Sequence, residues 1–426
     1  MTTVRRETAV VPRFMPRMLS WWLAGLMLAS LMLGSQPAPE AAAQSPPEPA
    51  SASLVTDPQI VIGVAAATTG PVDWIGWRQL NAVQLAIDQA NAAGGIDLGG
   101  TRHLLALAHA DDGCDGAQAH VAANALLNAG AVAVIGHSCS SASLPAQPIY
   151  RAAGVPMVIA SSTSPLLTEM GYDNTFRVVY RDDAAAELLA TYLRQSLGME
   201  RVAAIQLTEP WAGMATTAFT TTFARLGGTI TGIYVVDSPL DFAAALAAAA
   251  SKNVEAVYYA DGDANRAGAL SSAAHDAGIT IVAWDSMEAD TGPYAAAGPA
   301  AEGDYVGIWG RSTADMPGYE EFNAAYQAAG FANFGDEGDT WGALAYDAAN
   351  IVIAAIDRTD SVAPGARRDA IAATADYQGV VGTYERFDAK GDVVPQWVSL
   401  RQYRSGEWRA PGASRVFLPV ALAGGP

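Results

Sequence analysis

Short apolar runs alternate with stretches that are apolar on one helical face, from residue 60 to beyond residue 400. The run at 60–66 predicts a strand that enters Thr68-Thr69-Gly70-Pro71. Leu80, Val83, Ile87 and Ala90 then share one face at helical spacing, ended by Gly94-Gly95. Strands are predicted at 104–108, 131–135 and 155–159, with helices at 117–127 and 144–153 between them. A second series repeats the pattern: helix 184–197, strand 202–207, helix 216–226, strand 230–235, helix 242–250, strand 256–259, helix 267–277, strand 281–284. Strands spaced by helices of this length predict parallel sheets with right-handed connections. Two series predict an α/β chain of two similar Rossmann-like lobes. After residue 304 the pattern becomes helical at 317–329 and 341–357, where Leu344, Ala348, Ile351 and Ala355 share a face. Short strands follow near 380–384 and 398–403, with Lys390-Gly391-Asp392 as a turn. Residues 412–426 read as an appended tail, and Val416-Phe417-Leu418-Pro419-Val420 has no physical account.

The N-terminus sets the compartment. Arg5, Arg6, Arg13 and Arg17 precede an apolar run of 15 residues, 19–33, and Ala41-Ala42-Ala43 offers a small-residue cleavage site. This predicts a signal peptide over 1–43, a Pro/Ala/Ser-rich disordered lead-in over 44–57 and an exported chain. At 426 residues, 51% of them apolar and 16% charged, the chain has material for two cores. The net charge is −19, and removing residues 1–43 leaves 20 basic against 41 acidic residues. Such a surface disfavours nucleic acid and anionic membrane as partners.

Cys114 and Cys139 are the two cysteines, and in an exported chain they read as one disulfide. Closing such a loop contributes roughly 3 kcal/mol. The bridge pins one turn beside the Ser-rich turn at 138–141. In sheets of this kind ligands bind outside the carboxyl ends of the strands. Thr68-Thr69-Gly70, residues 138–141, residues 161–164, Trp211 and Asp285 all follow predicted strands and are expected at one crevice. Simpler readings stand beside these. An Asp before a helix, as at Asp182 and Asp183, is ordinarily an N-cap. Ser161, Ser162, Thr163 and Ser164 are placed to cap a helix near Pro165. Trp211 suits a core aromatic, although Pro210 and Gly213 around it predict a loop.

Catalysis finds little support. Gly136-His137-Ser138-Cys139-Ser140 lacks the final Gly of a nucleophile elbow. The five histidines show no metal spacing, and Asp261-Gly262-Asp263-Ala264-Asn265 opens like a calcium loop but continues with Arg266 and Ser272. No phosphate-cradling Gly-rich motif occurs. No cofactor, metal or enzymatic activity is expected.

The residues 60–408 resemble the periplasmic leucine/isoleucine/valine-binding proteins of ABC transporters. The resemblance is carried by Thr69-Gly70-Pro71, Asn91-Ala92-Ala93-Gly94-Gly95-Ile96, Asp111-Asp112-Gly113-Cys114-Asp115, Ile135-Gly136-His137-Ser138-Cys139-Ser140-Ser141, Ala160-Ser161-Ser162-Thr163-Ser164-Pro165 and Ala345-Tyr346-Asp347-Ala348. It implies a Venus-flytrap: two lobes joined by a three-segment hinge that close on a ligand. One lobe would comprise 58–181 with 309–382, the other 182–308 with 383–411. Ser140 and Thr163 would hold an α-carboxylate; the Ser161 carbonyl, Asp182 and Asp285 would hold the α-ammonium. Trp74, in a loop one position off the family register, and Trp211 would wall the site. Asp261-Gly262-Asp263 stands where the family carries an aromatic, which favours a polar or cationic ligand end and leaves "amino acid or relative" as the class. The implied role is a monomeric solute-binding protein that delivers its ligand to a membrane permease. A same-fold sensor, a binder of amides or aromatic acids, and a secreted serine hydrolase are the alternatives.

Overall fold

The computed structural model describes residues 59–208, 210–260, 264–284, 298–311, 313–331 and 339–411. The signal peptide, the lead-in, Asp261, Asp263, Asp285 and the tail beyond 411 lie outside these residues. In the first lobe the chain forms β1 (Gln59–Ala65), α1 (Asp73–Ala92), β2 (Ile96–Leu98), β3 (Thr101–Ala110), α2 (Gly116–Asn128), β4 (Ala133–Gly136), α3 (Ser140–Ala153), β5 (Met157–Ile159), α4 (Leu166–Glu169) and β6 (Thr175–Arg177). It then forms α5 (Asp182–Thr191), β7 (Arg201–Leu207), α6 (Pro210–Arg225), β8 (Thr229–Val236), α7 (Phe242–Ala250), β9 (Ala256–Ala260), α8 (Ala264–His275), β10 (Thr280–Trp284) and β11 (Tyr305–Trp309). Helices α9 (Tyr319–Ala328), α10 (Asp339–Thr359) and α11 (Pro364–Ala372) follow. Strands β12 (Ala375–Gln378), β13 (Thr383–Phe387), β14 (Val393–Val394), β15 (Val398–Arg404) and β16 (Glu407–Arg409) complete the order.

Two sheets carry the molecule. The first runs β2-β3-β1-β4-β5-β6, and the second β16-β15-β11-β10-β9-β7-β8. Within each series the five parallel strands take the same order, second-first-third-fourth-fifth. The antiparallel additions, β2 on one sheet and β15–β16 on the other, sit at edges. The parallel strands read as near-continuous buried runs, such as β4 and β9, because helices cover both faces. The chain passes between the sheets three times: after β6, after β11 and after β14. Helix α10 returns to pack on α1 of the first lobe.

Several expected boundaries shift. The helix expected at 144–153 begins at Ser140, and the one expected at 216–226 begins at Pro210. Pro at the first helical position costs no hydrogen bond, so Pro210 opens α6 and Trp211 sits in its first turn rather than in a loop. Trp74 likewise lies in the first turn of α1. Residues 380–382 are not strand; β13 begins at Thr383 and pairs with β12 and β14, neither of which the pattern announced. Strand β11 was also unannounced. It pairs with β10 and β15, and its Tyr305-Val306-Gly307-Ile308-Trp309 run was an available apolar signal.

Glycine is required where the lobe's first two loops close up. A Cβ on Gly76 would lie 1.9 Å from the Ala67 carbonyl oxygen, and one on Gly136, at φ +129, would lie 2.0 Å from that of Ala65. These contacts bring α1 and the end of β4 onto the end of β1.

Asp347 on α10 anchors the segment after β12. Its carboxylate accepts from the backbone N–H of Val380 (2.7 Å) and Val381 (3.1 Å) and from the Tyr384 hydroxyl (2.8 Å). Burial raises its pKa to about 6 against those hydrogen bonds. Because the folded value lies above the unfolded one, its contribution is fully present below about pH 4 and is lost as pH rises through about 6. Relative to the parent, Asp347→Asn should therefore gain melting temperature between pH 4 and pH 7. A difference that does not change across that range would contradict the assignment.

Candidate functional site

Both sheets have a switch point, where consecutive connections leave in opposite directions from neighbouring strands. In open parallel sheets that crevice, outside the carboxyl ends, is where ligands bind. On the first sheet it lies between β1 and β4, and on the second between β7 and β9. Residues 66–70 and 137–140 line the first; Trp211 follows β7 at the second.

At the first switch point the loops are tied by hydrogen bonds. The Ser138 hydroxyl accepts from the Ala67 N–H (3.1 Å) and donates to Gln79 Oε1 (2.7 Å). Ser161 Oγ donates to the Ser138 carbonyl (2.7 Å), and Ser162 Oγ to the His137 carbonyl (2.9 Å). Ser140 Oγ accepts from the Ser164 N–H at 3.2 Å, which leaves its own proton free to donate. The Thr163 carbonyl accepts from the Asp182 N–H (3.2 Å) and from Arg177 Nη1 (3.0 Å). Ser140 and Asp182 are thus joined through the 163–164 peptide group, with Ser161 tied to the same turn at Ser138. Asp111 ties the neighbouring loop. Burial opposes its ionisation, but the Thr69 hydroxyl and the N–H groups of Gly113 and Thr68 outweigh it and hold its carboxyl below the usual range.

The capping readings hold only in part: the residues preceding α3, α4 and α5 make no side-chain cap, while Asp183 Oδ1 accepts from the Ala184 N–H in the first turn of α5 (2.9 Å). The serines of 161–164 bond to residues 137–143 instead of capping α4. Asp183 forms paired contacts with Arg181 (2.9 and 2.7 Å), and Asp182, 1% exposed, begins α5 rather than preceding it. The uncapped start of α3 presents its first N–H groups beside Ser140.

Arg177 is fully buried, and Asp392 compensates it through Nε (2.8 Å) and Nη2 (2.5 Å). The other oxygen of Asp392 accepts from Arg181 (3.0 Å) and Thr168 (2.7 Å). Arg177 ends β6 and Asp392 precedes β14, so the cluster ties together the starts of two of the three interlobe passages beside Thr163.

Trp74 is half-buried with the Arg78 guanidinium 4.9 Å from its ring centre, and Trp77 Nε1 donates to the Thr68 carbonyl at 3.2 Å. Trp211 is half-buried against the second lobe's core. Cys114 and Cys139 form the expected disulfide.

His137 has no nitrogen left for chemistry. Nδ1 meets Asp112 at 2.6 Å and Nε2 meets the Tyr150 hydroxyl at 3.0 Å, so it cannot take a proton from Ser138 or Ser140. Gln79 was missed by sequence reasoning. The available signal was a polar residue at a core-facing helical position, beside Ala82 and Val83. The pairing of Arg177 and Arg181 with Asp392 had no local signal. Among the described residues no cluster of His, Cys, Asp or Glu fits a metal ion. A cavity of about 500 Å³ on the first lobe, bounded by Gln89, Phe322, Tyr346 and Tyr377, contains none of these residues. It lies away from both switch points, so topology and the connected polar set place the candidate site elsewhere.

A model of the periplasmic binding protein family matches residues 59–407. The chain is similar to an amino acid binding protein of Pseudomonas aeruginosa, 37% identical over 147 residues, which are 34% of this chain and 38% of that one. It is 28% identical over 355 residues to the Leu/Ile/Val-binding protein homolog 2 of Brucella abortus, covering 82% of this chain and 90% of that one. An ABC transporter substrate-binding protein from Desulfitobacterium hafniense, solved in complex with Leu, superposes with a TM-score of 0.69 at 26% identity, covering 83% of this chain and all of that one (100%).

Proposed function

The chain belongs to the periplasmic binding protein family, and from that premise we propose that it is an exported solute-binding protein that captures an amino acid between its lobes. One observation carries the reading: at the first lobe's switch point Ser140 and Asp182 are joined by hydrogen bonds through the 163–164 peptide group, and Ser161 is tied to the same turn at Ser138. A zwitterion loses most of its hydration on entering a closed cleft, so each charged end needs an opposing charge or aligned dipoles. The Ser140 and Thr163 hydroxyls, with the N–H groups opening α3, serve the carboxylate. The Ser161 carbonyl and the carboxylates of Asp182 and Asp285 serve the ammonium. Trp74 and Trp211 wall the side chain. Asp182 begins the second lobe and Ser140 belongs to the first, so a ligand gripping both stabilises the closed form. The relatives that bind leucine, isoleucine and valine support an amino acid as the class, with Asp261 and Asp263 biasing this chain toward a more polar end. A signal peptide over 1–43, a monomeric state, a lobe division of 58–181 with 309–382 against 182–308 with 383–411, and delivery to an ABC permease without catalysis complete the proposal.

Ser140→Ala tests the carboxylate end and separates binding from hydrolysis. The loss of one hydrogen bond to a charged group should weaken ligand affinity by roughly 10- to 100-fold in calorimetry. The parent should leave the ligand chemically intact. Product release by the parent that disappears in Ser140→Ala would instead support the hydrolase.

A further inference from the structure

The turns 111–115 and 136–141 are joined twice at one sequence offset. Cys114 and Cys139 are 25 positions apart, and their disulfide holds the Cα atoms 5.3 Å apart. Two residues before each cysteine, Asp112 and His137 repeat the separation of 25 and meet through Oδ2 and Nδ1 at 2.6 Å. Both side chains are fully buried. The second Asp112 oxygen accepts from the Cys114 N–H at 2.8 Å, so the pair also grips the disulfide's own turn. On the far side His137 Nε2 meets the hydroxyl of Tyr150, itself buried in α3, at 3.0 Å. Burial first, and the Asp112 carboxylate second, push the Tyr150 hydroxyl's pKa up, so it stays protonated and able to donate. The backbone of His137 is what this side-chain chain fixes. Its carbonyl receives the Ser162 hydroxyl (2.9 Å), and the next residue's carbonyl receives Ser161 (2.7 Å).

We infer that the buried Asp112–His137–Tyr150 chain is a positioning device for the turn carrying Ser140, a second and noncovalent rung that holds residues 138–141 against 161–164 independently of the disulfide. The disulfide acts mainly by restricting the unfolded chain, whereas the inner rung orients the folded turn through directed hydrogen bonds. The inference rests on the proposed reading of Ser140 as a carboxylate ligand, but its first readout needs no ligand.

The test is a double-mutant cycle in the full chain, crossing Cys114→Ser with Cys139→Ser against His137→Asn. Amide hydrogen exchange is followed in peptides spanning 136–143 and 160–166, and affinities for leucine and leucinamide are measured alongside. Losing the disulfide alone should leave the leucine-to-leucinamide preference within about threefold of the parent, while His137→Asn should lower it about tenfold. Losing both should speed exchange in both peptides by about the product of the single effects. A His137→Asn effect that vanishes once the disulfide is gone, or exchange unaltered by His137→Asn, would overturn the inference. Should His137→Asn fail to fold, the near-isosteric Asp112→Asn and Tyr150→Phe replace it, with the same direction expected at smaller size. A parent that binds neither probe would sink the ligand reading while the exchange cycle still decides the rung.

Discussion

Asp182→Asn is expected to abolish amino acid binding at concentrations that saturate the parent. The carboxylate is 1% exposed, stands at the first residue of α5 and is joined through its own N–H to the Thr163 carbonyl of the opposite lobe. An ammonium brought to that point loses its water and receives a full negative charge in return. The amide keeps the shape and one acceptor but removes the charge. Truncating one partner of a buried charge pair costs about 2–5 kcal/mol, equivalent to roughly 30- to several-thousand-fold in affinity. The variant should melt near the parent's temperature without ligand, because Asp182 does not cap α5. Calorimetry showing an affinity within threefold of the parent would remove Asp182 from the site.

The largest expected effect on stability falls at the hinge. Asp392→Ala leaves the fully buried Arg177 guanidinium without its carboxylate and strips Arg181 of one of its three acidic partners. Breaking a buried pair by removing one member costs about 3–5 kcal/mol. At about 2–4 °C per kcal/mol, the melting temperature should fall by on the order of 10 °C. Burial opposes the ionisation of Asp392, yet the charges of Arg177 and Arg181 outweigh it and hold its pKa below the usual carboxylate value. A lowered folded pKa means a contribution fully present above the unfolded value near 4 and lost as pH falls below it through the lower folded value. The gap between parent and variant should therefore narrow in acid. Arg177 also donates to the Thr163 and Ser164 carbonyls, so affinity should fall alongside stability. A melting temperature within about 2 °C of the parent would show that water, not Asp392, compensates Arg177.

Much of this fold was legible along the chain because burial on both faces leaves parallel strands as plain apolar runs. Residues 60–66, 202–207 and 256–259 declared themselves that way. Helix starts were harder. Ser140 and Pro210 open helices in segments that read as turns, because Ser and Pro favour both turns and first helical positions. Strands β12 and β14 were illegible, since two to four residues carry no period and depend on partners far along the chain. The site divides along the same line. The serine turns and Asp182 were marked by their place after strands together with the family resemblance. The pairing of Arg177 with Asp392, 215 positions apart, has no local signature, and the turn 390–392 marked only a change of direction. Gln79 sits in an amphipathic stretch as an ordinary polar residue, and only the fold shows that it meets Ser138. Asp112 and His137 stood inside the motifs around the cysteines, but their pairing required the two turns to be seen together.

The most direct test is a thermal-shift series on the protein with α-amino acids, their amides and the matching α-hydroxy acids. A ligand at about 100 times its dissociation constant should add about 2.7 kcal/mol of stability. One or a few α-amino acids should raise the melting temperature, their amides and hydroxy acids should not, and Asp182→Asn should remove the shift. Stabilisation only by compounds that lack the ammonium, or by no amino acid at all, would contradict capture of a zwitterion between the lobes.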